Sequence, residues 1–237
     1  MSRLLVKVDH IATLREGRRA TEPDPIIAAA VAEMAGADGV VVHLRGDRRH
    51  IKSRDLELLR QTIKTRLVLQ IAPTQEMTSI AHQVKPDQVM LVQERPDEVT
   101  TETGLDVIRD RESLAKHLAA LKDGDIPVGL VIEPDIDQVK AAHKLDVDAV
   151  QFNMSRYCDA KFAMDRFHAF NGIVNAAKAA SKLNLTVLVG QGLTYHNIQD
   201  LQAIQEIDEY VVGFAIIARA VIVGMDRAVR EMVELLK

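Results

Sequence analysis

Short aliphatic runs recur along the chain, each bounded by charged or turn-forming residues and each followed by a segment with helical spacing. Eight of them read as strands: Leu4 to Asp9, Gly39 to Leu44, Arg66 to Ala72, Gln88 to Gln93, Pro127 to Glu133, Ala149 to Asn153, Thr186 to Gly190 and Glu209 to Phe214. Unbroken Val/Ile/Leu, rather than strict alternation with polar residues, marks strands buried on both faces, as in a parallel sheet covered by helices. Eight strands with a helix after each predict an α/β chain that closes as a single-domain (β/α)8 TIM barrel over residues 1–237, with its chemistry at the carboxyl ends of the strands.

A weak internal repeat agrees with that count. Asp38-Gly39-Val40, Asp87-Gln88-Val89, Asp148-Ala149-Val150 and Asp208-Glu209-Tyr210 each set an aspartate before an even-numbered strand. Their spacings of 49, 61 and 60 residues fit one quarter of a barrel per step, although so short a motif also arises by chance. The first helix is expected from Asp24-Pro25, an N-cap followed by proline at the first helical position, with Ile26, Ile27, Ala30, Val31 and Met34 as its apolar face. Glu94 to Asp110 lacks periodicity and reads as a long loop on the active face.

Composition narrows the class of function. The chain is 47% hydrophobic and 27% charged without a tryptophan, so its core is aliphatic and its balance is that of a globular protein. A net charge of -4, no recurring basic face and few aromatics exclude a nucleic-acid surface. Cys158 is the only cysteine, which rules out an internal disulfide and suits a reducing cytoplasm. Lys7 and Asp9 interrupt the N-terminal apolar run too early for a signal peptide, and no run approaches a membrane span.

The candidate chemistry gathers at strand ends. Val40 to Val42 run directly into His43-Leu44-Arg45-Gly46-Asp47-Arg48-Arg49-His50, which is either a site for anions or a solvated charged loop. Lys7 and Asp9, two apart on a strand, share a face. They form either an interior ion pair or a site where a desolvated lysine acts as an amine in Schiff-base chemistry. Gln70, Gln151 and Gln191 set single amides among aliphatics, either as a polar ring in one lumen or as three separately satisfied groups. Gly190-Gln191-Gly192 and Val212-Gly213-Phe214 end the last two strands, where barrels bind phosphate through backbone N–H groups. No metal is expected, because His43 and His50 lack a carboxylate that completes a recognisable ligand set. Cys158 reads as a partly buried thiol.

Taken in order, Val8-Asp9-His10-Ile11-Ala12-Thr13-Leu14-Arg15, Ala35-Gly36-Ala37-Asp38-Gly39, Val42-His43-Leu44-Arg45 with Asp47-Arg48-Arg49-His50-Ile51, Glu98-Val99-Thr100-Thr101-Glu102 with Gly104-Leu105-Asp106, and Gly192-Leu193-Thr194-Tyr195-His196-Asn197 resemble the pyridoxine 5'-phosphate synthase family over essentially the whole chain. The resemblance implies a barrel, in a homo-octamer, that condenses 1-deoxy-D-xylulose 5-phosphate with 3-amino-2-oxopropyl phosphate to build the vitamin B6 ring, without a cofactor. It implies an acid/base role for His43, substrate binding by Asp9, His10, Arg18, Arg45, His50 and Thr100, and phosphate binding at Gly192 and Gly213.

The departures from that pattern fall on the chemistry. The family's strand-three glutamate is Gln70, its histidine after strand seven is Gln191 and its strand-six glutamate is Gln151. Its strand-one asparagine is Lys7, its His-Thr-Gly is Asn153-Met154-Ser155, and its histidine beside the second phosphate glycine is Phe214, where only the backbone N–H survives. An amide does not exchange protons near neutral pH, and each positioned acid or base contributes roughly 10²- to 10⁴-fold. The expectation is therefore an enzyme with altered carbonyl/amine condensation chemistry on a phosphorylated metabolite. The alternatives are a non-catalytic sensor of a phosphorylated metabolite or B6 vitamer, and a retained synthase.

Overall fold

The aliphatic runs become strands because their side chains face the barrel lumen on one side and the helices on the other. The computed structural model describes residues 2–95, 97–98 and 103–237. Its eight parallel strands are β1 (Arg3–Lys7), β2 (Gly39–His43), β3 (Leu67–Ile71), β4 (Gln88–Leu91), β5 (Val128–Ile132), β6 (Ala149–Asn153), β7 (Thr186–Gly190) and β8 (Glu209–Val212), closed in sequence order by β1 against β8. The helices are α1 (Asp9–Arg18), α2 (Pro25–Met34), α3 (Ser53–Thr62), α4 (Gln75–Val84), α5 (Arg111–Asp123), α6 (Ile136–His143), α7 (Ser155–Cys158), α8 (Ala163–Lys182), α9 (Ile198–Leu201), α10 (Phe214–Val223) and α11 (Met225–Leu235). Among the described residues no helix is long and apolar enough to cross a membrane.

Strand alternation stacks the lumen in layers. At the amino-terminal end Glu209 takes Arg3 at 2.6 Å and Arg66 at 2.5 Å, and Arg66 also bonds Gln88 at 2.8 Å. Two residues along each strand come Leu5, Val41, Val68, Met90, Ala149 and Val211, members of one buried apolar cluster that fills the middle. Two further along come Lys7, His43, Gln70 and Gln151, a polar layer facing the carboxyl-terminal mouth. The period of two thus converts an apolar floor into a polar site within one step of each strand.

The aspartate repeat has a physical cause. Asp38, Asp87, Asp148 and Asp208 accept at 2.8 Å from the backbone N–H of Leu4, Leu67, Val128 and Val187 respectively, each at the start of the preceding odd strand. The same four aspartates donate their own N–H to the carbonyls of those residues. Each is a two-bond staple at the bottom of the barrel, satisfying groups that the ladder leaves open.

Three element expectations change. Asp9 does not lie on β1: after Val8 N–H reaches Val41, Ile11 N–H turns back to the Val8 carbonyl and α1 begins. The helix at Pro25, capped by Asp24 on Ile26 N–H at 2.9 Å, is therefore the second. Its buried residues are Pro25, Ala28, Ala29 and Ala32, whereas Ile27 and Met34 face outward. A helix apolar on nearly every side gives no stripe from which to read its inner face, and the alanine side permits the closer approach. Phe214 opens α10 rather than ending β8. The expected long loop after β4 carries no helix in its described part, where Leu105 bridges to Ile132.

Candidate active site

The carboxyl-terminal mouth encloses a cavity of about 490 Å³ whose walls include Lys7, Asp9, His10, His43, Gln70 and Gln151. His43, the last residue of β2, is buried, and its Nε2–H donates to Glu94 Oε1 at 2.9 Å. With Glu94 ionised, this bond places the imidazole proton on Nε2 and leaves Nδ1 as the lone pair, which has no partner among the described residues. Burial lowers the His43 pKa, with Glu94 pulling the other way, so the ring is a neutral base near neutral pH. Burial would raise the Glu94 carboxyl, yet the His43 bond and the Gly46 N–H at 3.1 Å hold it below its ordinary value.

Asp9 sits in the first turn of α1, where a carboxylate is favoured by the helix dipole. It accepts His43 N–H at 2.9 Å and pairs with Lys7 at 3.2 Å. Burial pushes its pKa up, but Lys7 and the neighbouring donors overcome this and hold it down. Lys7 and Asp9 thus meet as expected, through the turn into α1 rather than through strand alternation. Lys7 Nζ also donates to Gln70 Oε1 at 2.5 Å, so Lys7 stands in an interior ion pair with an amide beside it.

The three glutamines are not separately satisfied. Gln70 Nε2 donates to Gln151 Oε1 at 3.2 Å, and Gln151 Nε2 donates to Gln191 Oε1 at 3.3 Å. Gly190 makes room for this: a Cβ there would lie 2.7 Å from Gln151 Nε2. Gln191 stands one residue beyond β7 at φ 66, a left-handed conformation that costs a residue with a Cβ about 1–2 kcal/mol. Gly192 follows at φ 75, and a Cβ on it would press on Cys158 at 2.7 Å. Burial raises the Cys158 thiol to about 12, so it is an inert packing group.

Gly192, Gly213 and Phe214 all reach the cavity wall, with Gly213 the N-cap of α10 and Phe214 its exposed first residue. The Phe214 ring meets His10 edge-on at 5.4 Å between centroids. His10 Nδ1 is buried without a hydrogen bond, and burial lowers the pKa of the ring.

In the arginine-rich loop acidic partners engage the cations. Arg45 is buried on Glu98 at 3.0 Å and on the Arg95 carbonyl, Arg48 pairs with Glu76 at 2.5 Å, and Arg49 pairs with Asp47 at 2.6 Å. Arg45 still lines the cavity, and its Nε is a buried donor without a hydrogen bond. His50 lines the same wall; burial pushes its pKa down to about 4. Arg18 is exposed in the last turn of α1 and is not part of the cavity wall, and Thr100 falls outside the described residues.

Sequence reading missed Glu94, and it gave Arg15, Thr13 and Thr194 no role of their own within their motifs. Glu94 continues the lumen-facing series Met90, Val92 past the end of β4, a signal that period two offered. Arg15 holds α1 to α3 through two bonds to buried Asp55 at 2.7 and 2.8 Å, and also bonds the His50 carbonyl. Asp9, His43 and His50 each place a potential ligand atom within 4.8 Å of one another. The donor set nevertheless fits a metal poorly. His50 Nδ1 accepts Ile51 N–H at 2.8 Å, so the neutral ring carries its proton on Nε2, and Lys7 already neutralises Asp9.

Comparison with known proteins places this geometry. The chain is 54% identical over 235 residues to the pyridoxine 5'-phosphate synthase of Syntrophotalea carbinolica, covering 99% of this chain and 98% of that one. It is 47% identical over 237 residues to the enzyme of the same name from Desulforapulum autotrophicum, covering 100% and 99%. Among solved structures, KGPDC from Streptococcus mutans superposes with a TM-score of 0.67 at 14% identity over 100% and 97% of the two chains. Tryptophan synthase from M. tuberculosis gives 0.65 at 11% over 100% and 94%. These two share the fold alone. The family model described as "Pyridoxal phosphate biosynthesis protein PdxJ" matches residues 4–237, and the chain belongs to that family.

Proposed function

We propose that this chain is an enzyme of carbonyl/amine condensation type that acts on a phosphorylated small metabolite, with His43 as its acid/base. The observation that carries this reading is the makeup of the polar layer. A buried, neutral imidazole backed by Glu94 faces a cavity in which the neighbouring polar side chains from β3, β6 and the β7 end are amides. His43 accepts a proton at Nδ1, and Glu94 stabilises the resulting imidazolium. Lys7, held by Asp9 and Gln70, acts as a fixed cation rather than as a nucleophile. The phosphate is placed against the backbone N–H groups around Gly192 and Gly213, where α10 directs its N-terminus into the mouth. The family's full ring closure calls for proton transfers at several atoms, and amides at 70 and 191 do not supply them.

The test is product formation from 1-deoxy-D-xylulose 5-phosphate and 3-amino-2-oxopropyl phosphate, followed by mass spectrometry beside the Syntrophotalea carbinolica relative. The expected result is little or no pyridoxine 5'-phosphate. Turnover comparable to the relative would overturn the altered-chemistry reading. It would establish the second one, a retained synthase, which the 54% identity over nearly the full chain favours.

A further inference from the structure

The hydrogen bonds of the polar layer have a direction, and Lys7 sets it. An ammonium only donates, so the atom 2.5 Å from Lys7 Nζ is necessarily the Gln70 oxygen. The Gln70 amide nitrogen then faces Gln151, which must offer its oxygen at 3.2 Å. The Gln151 nitrogen in turn meets the Gln191 oxygen at 3.3 Å. Each amide is oriented by the one before it, so oxygen and nitrogen are assigned by chemistry at every step. The series ends at Gln191 Nε2, which has no hydrogen-bond partner among the described residues, on a side chain that lines the cavity beside Gly192.

We propose that Lys7, Gln70, Gln151 and Gln191 form a one-way relay that fixes Gln191 Nε2 as a donor toward the ligand, so that the site selects a phosphorylated compound carrying a carbonyl, carboxylate or enolate oxygen at that point. Lys7 and Gln151 are positioning residues, and Gln191 is the contact. A lone glutamine presents either edge of its amide, whereas this one presents N–H only, because reversing it would set nitrogen against nitrogen at Gln151 and finally at Lys7. A preset donor of this kind stabilises negative charge that builds on a substrate oxygen without reorganising first. The inference rests on the reading of the cavity as a site for phosphorylated metabolites.

The experiment compares two probes that differ in one head group, 2-phosphoglycolate with a carboxylate and O-phosphoethanolamine with an ammonium, by titration calorimetry on the full chain. The expected preference for phosphoglycolate is about tenfold or more, the usual scale of one hydrogen bond to a charged acceptor. Q151L cuts the relay in the middle while leaving both the Lys7 charge and the Gln191 amide in place, and the preference is expected to fall below about threefold, with phosphoglycolate losing affinity. Should Q151L fail to fold, Q151M offers the same length without a donor toward Gln191. Retention of the parent ratio in the mid-relay variant would overturn the proposal, since the Lys7 charge alone would then explain selection. Equal binding of both probes to the parent chain would overturn the relay while leaving the phosphate reading intact. Binding of neither probe, nor of inorganic phosphate, would overturn both.

Discussion

Under the proposed reading proton transfer in the lumen falls to His43, and the amides around it define what a variant should regain. Gln70→Glu with Gln191→His places a carboxylate and an imidazole where the family pattern has them, and each such group contributes roughly 10²- to 10⁴-fold when positioned. The double variant should form pyridoxine 5'-phosphate at least about 10²-fold faster than the parent chain in the mass-spectrometric assay. A double variant no faster would show that the missing groups do not limit the reaction. His50 gives a separate handle through pH. Burial holds its folded pKa at about 4, below the ordinary 6.5, so the unfolded chain takes up a proton that the folded chain refuses between those values. Its contribution is whole above pH 6.5 and is lost as pH falls towards 4, a window in which the Asp9 carboxyl, held below its ordinary value, stays ionised. Melting temperature should therefore drop from pH 7 to pH 4.5, and His50→Gln should flatten that slope; an unchanged slope would refute the assignment. At this scale the sequence revealed Lys7, Gln70 and Gln151 because period two puts them in one lumen. It concealed the pairing of Arg45 with Glu98, 53 residues away, because contact between separate loops leaves no trace in either local pattern.

The aspartate staples show how a faint sequence signal acquires an energy. Four carboxylates before β2, β4, β6 and β8 each hold an N–H in the first two residues of the neighbouring odd strand. Alanine at any one of them leaves that N–H without its partner at the strand end and should cost about 1–3 kcal/mol in urea unfolding. Asparagine keeps an oxygen acceptor and should cost less. The sites lie a quarter turn apart, so D38A with D148A should sum to within about 0.5 kcal/mol. Strong non-additivity would mean that the barrel floor responds as one unit. Helix α1 was hidden for the opposite reason. Its residues follow β1 without a turn signal, and charged Arg15 and Glu16 break any apolar stripe, while the interaction that fixes it is the Arg15 bond to Asp55 on α3.

At the scale of the whole molecule the barrel was legible because eight alternations of strand and helix admit few other closures. The outward faces were not, since nothing in a pattern of apolar residues says which side meets the core and which meets another chain. The structure shows which side meets the core. Ala28 of α2 and Ile217 of α10 share one buried cluster with Ile11 of α1, and the two helices expose Ile27 at 65%, Met34 at 71%, Val221 at 70% and Ile222 at 77%. Large aliphatics gathered on adjoining helices are the ordinary mark of an association surface. The homo-octamer that the resemblance implies would cover that face with copies of this chain. Light scattering coupled to size exclusion should then report a particle of about eight 26.3 kDa chains at micromolar concentration. Ile27→Glu with Ile222→Glu, both at solvent-facing positions of the isolated chain, should leave the monomer folded by circular dichroism and lower the particle mass. A parent chain that runs as a monomer would remove the octamer. A double variant that keeps the parent's mass would move the interface to another face, because two buried unpaired carboxylates would not be tolerated between subunits.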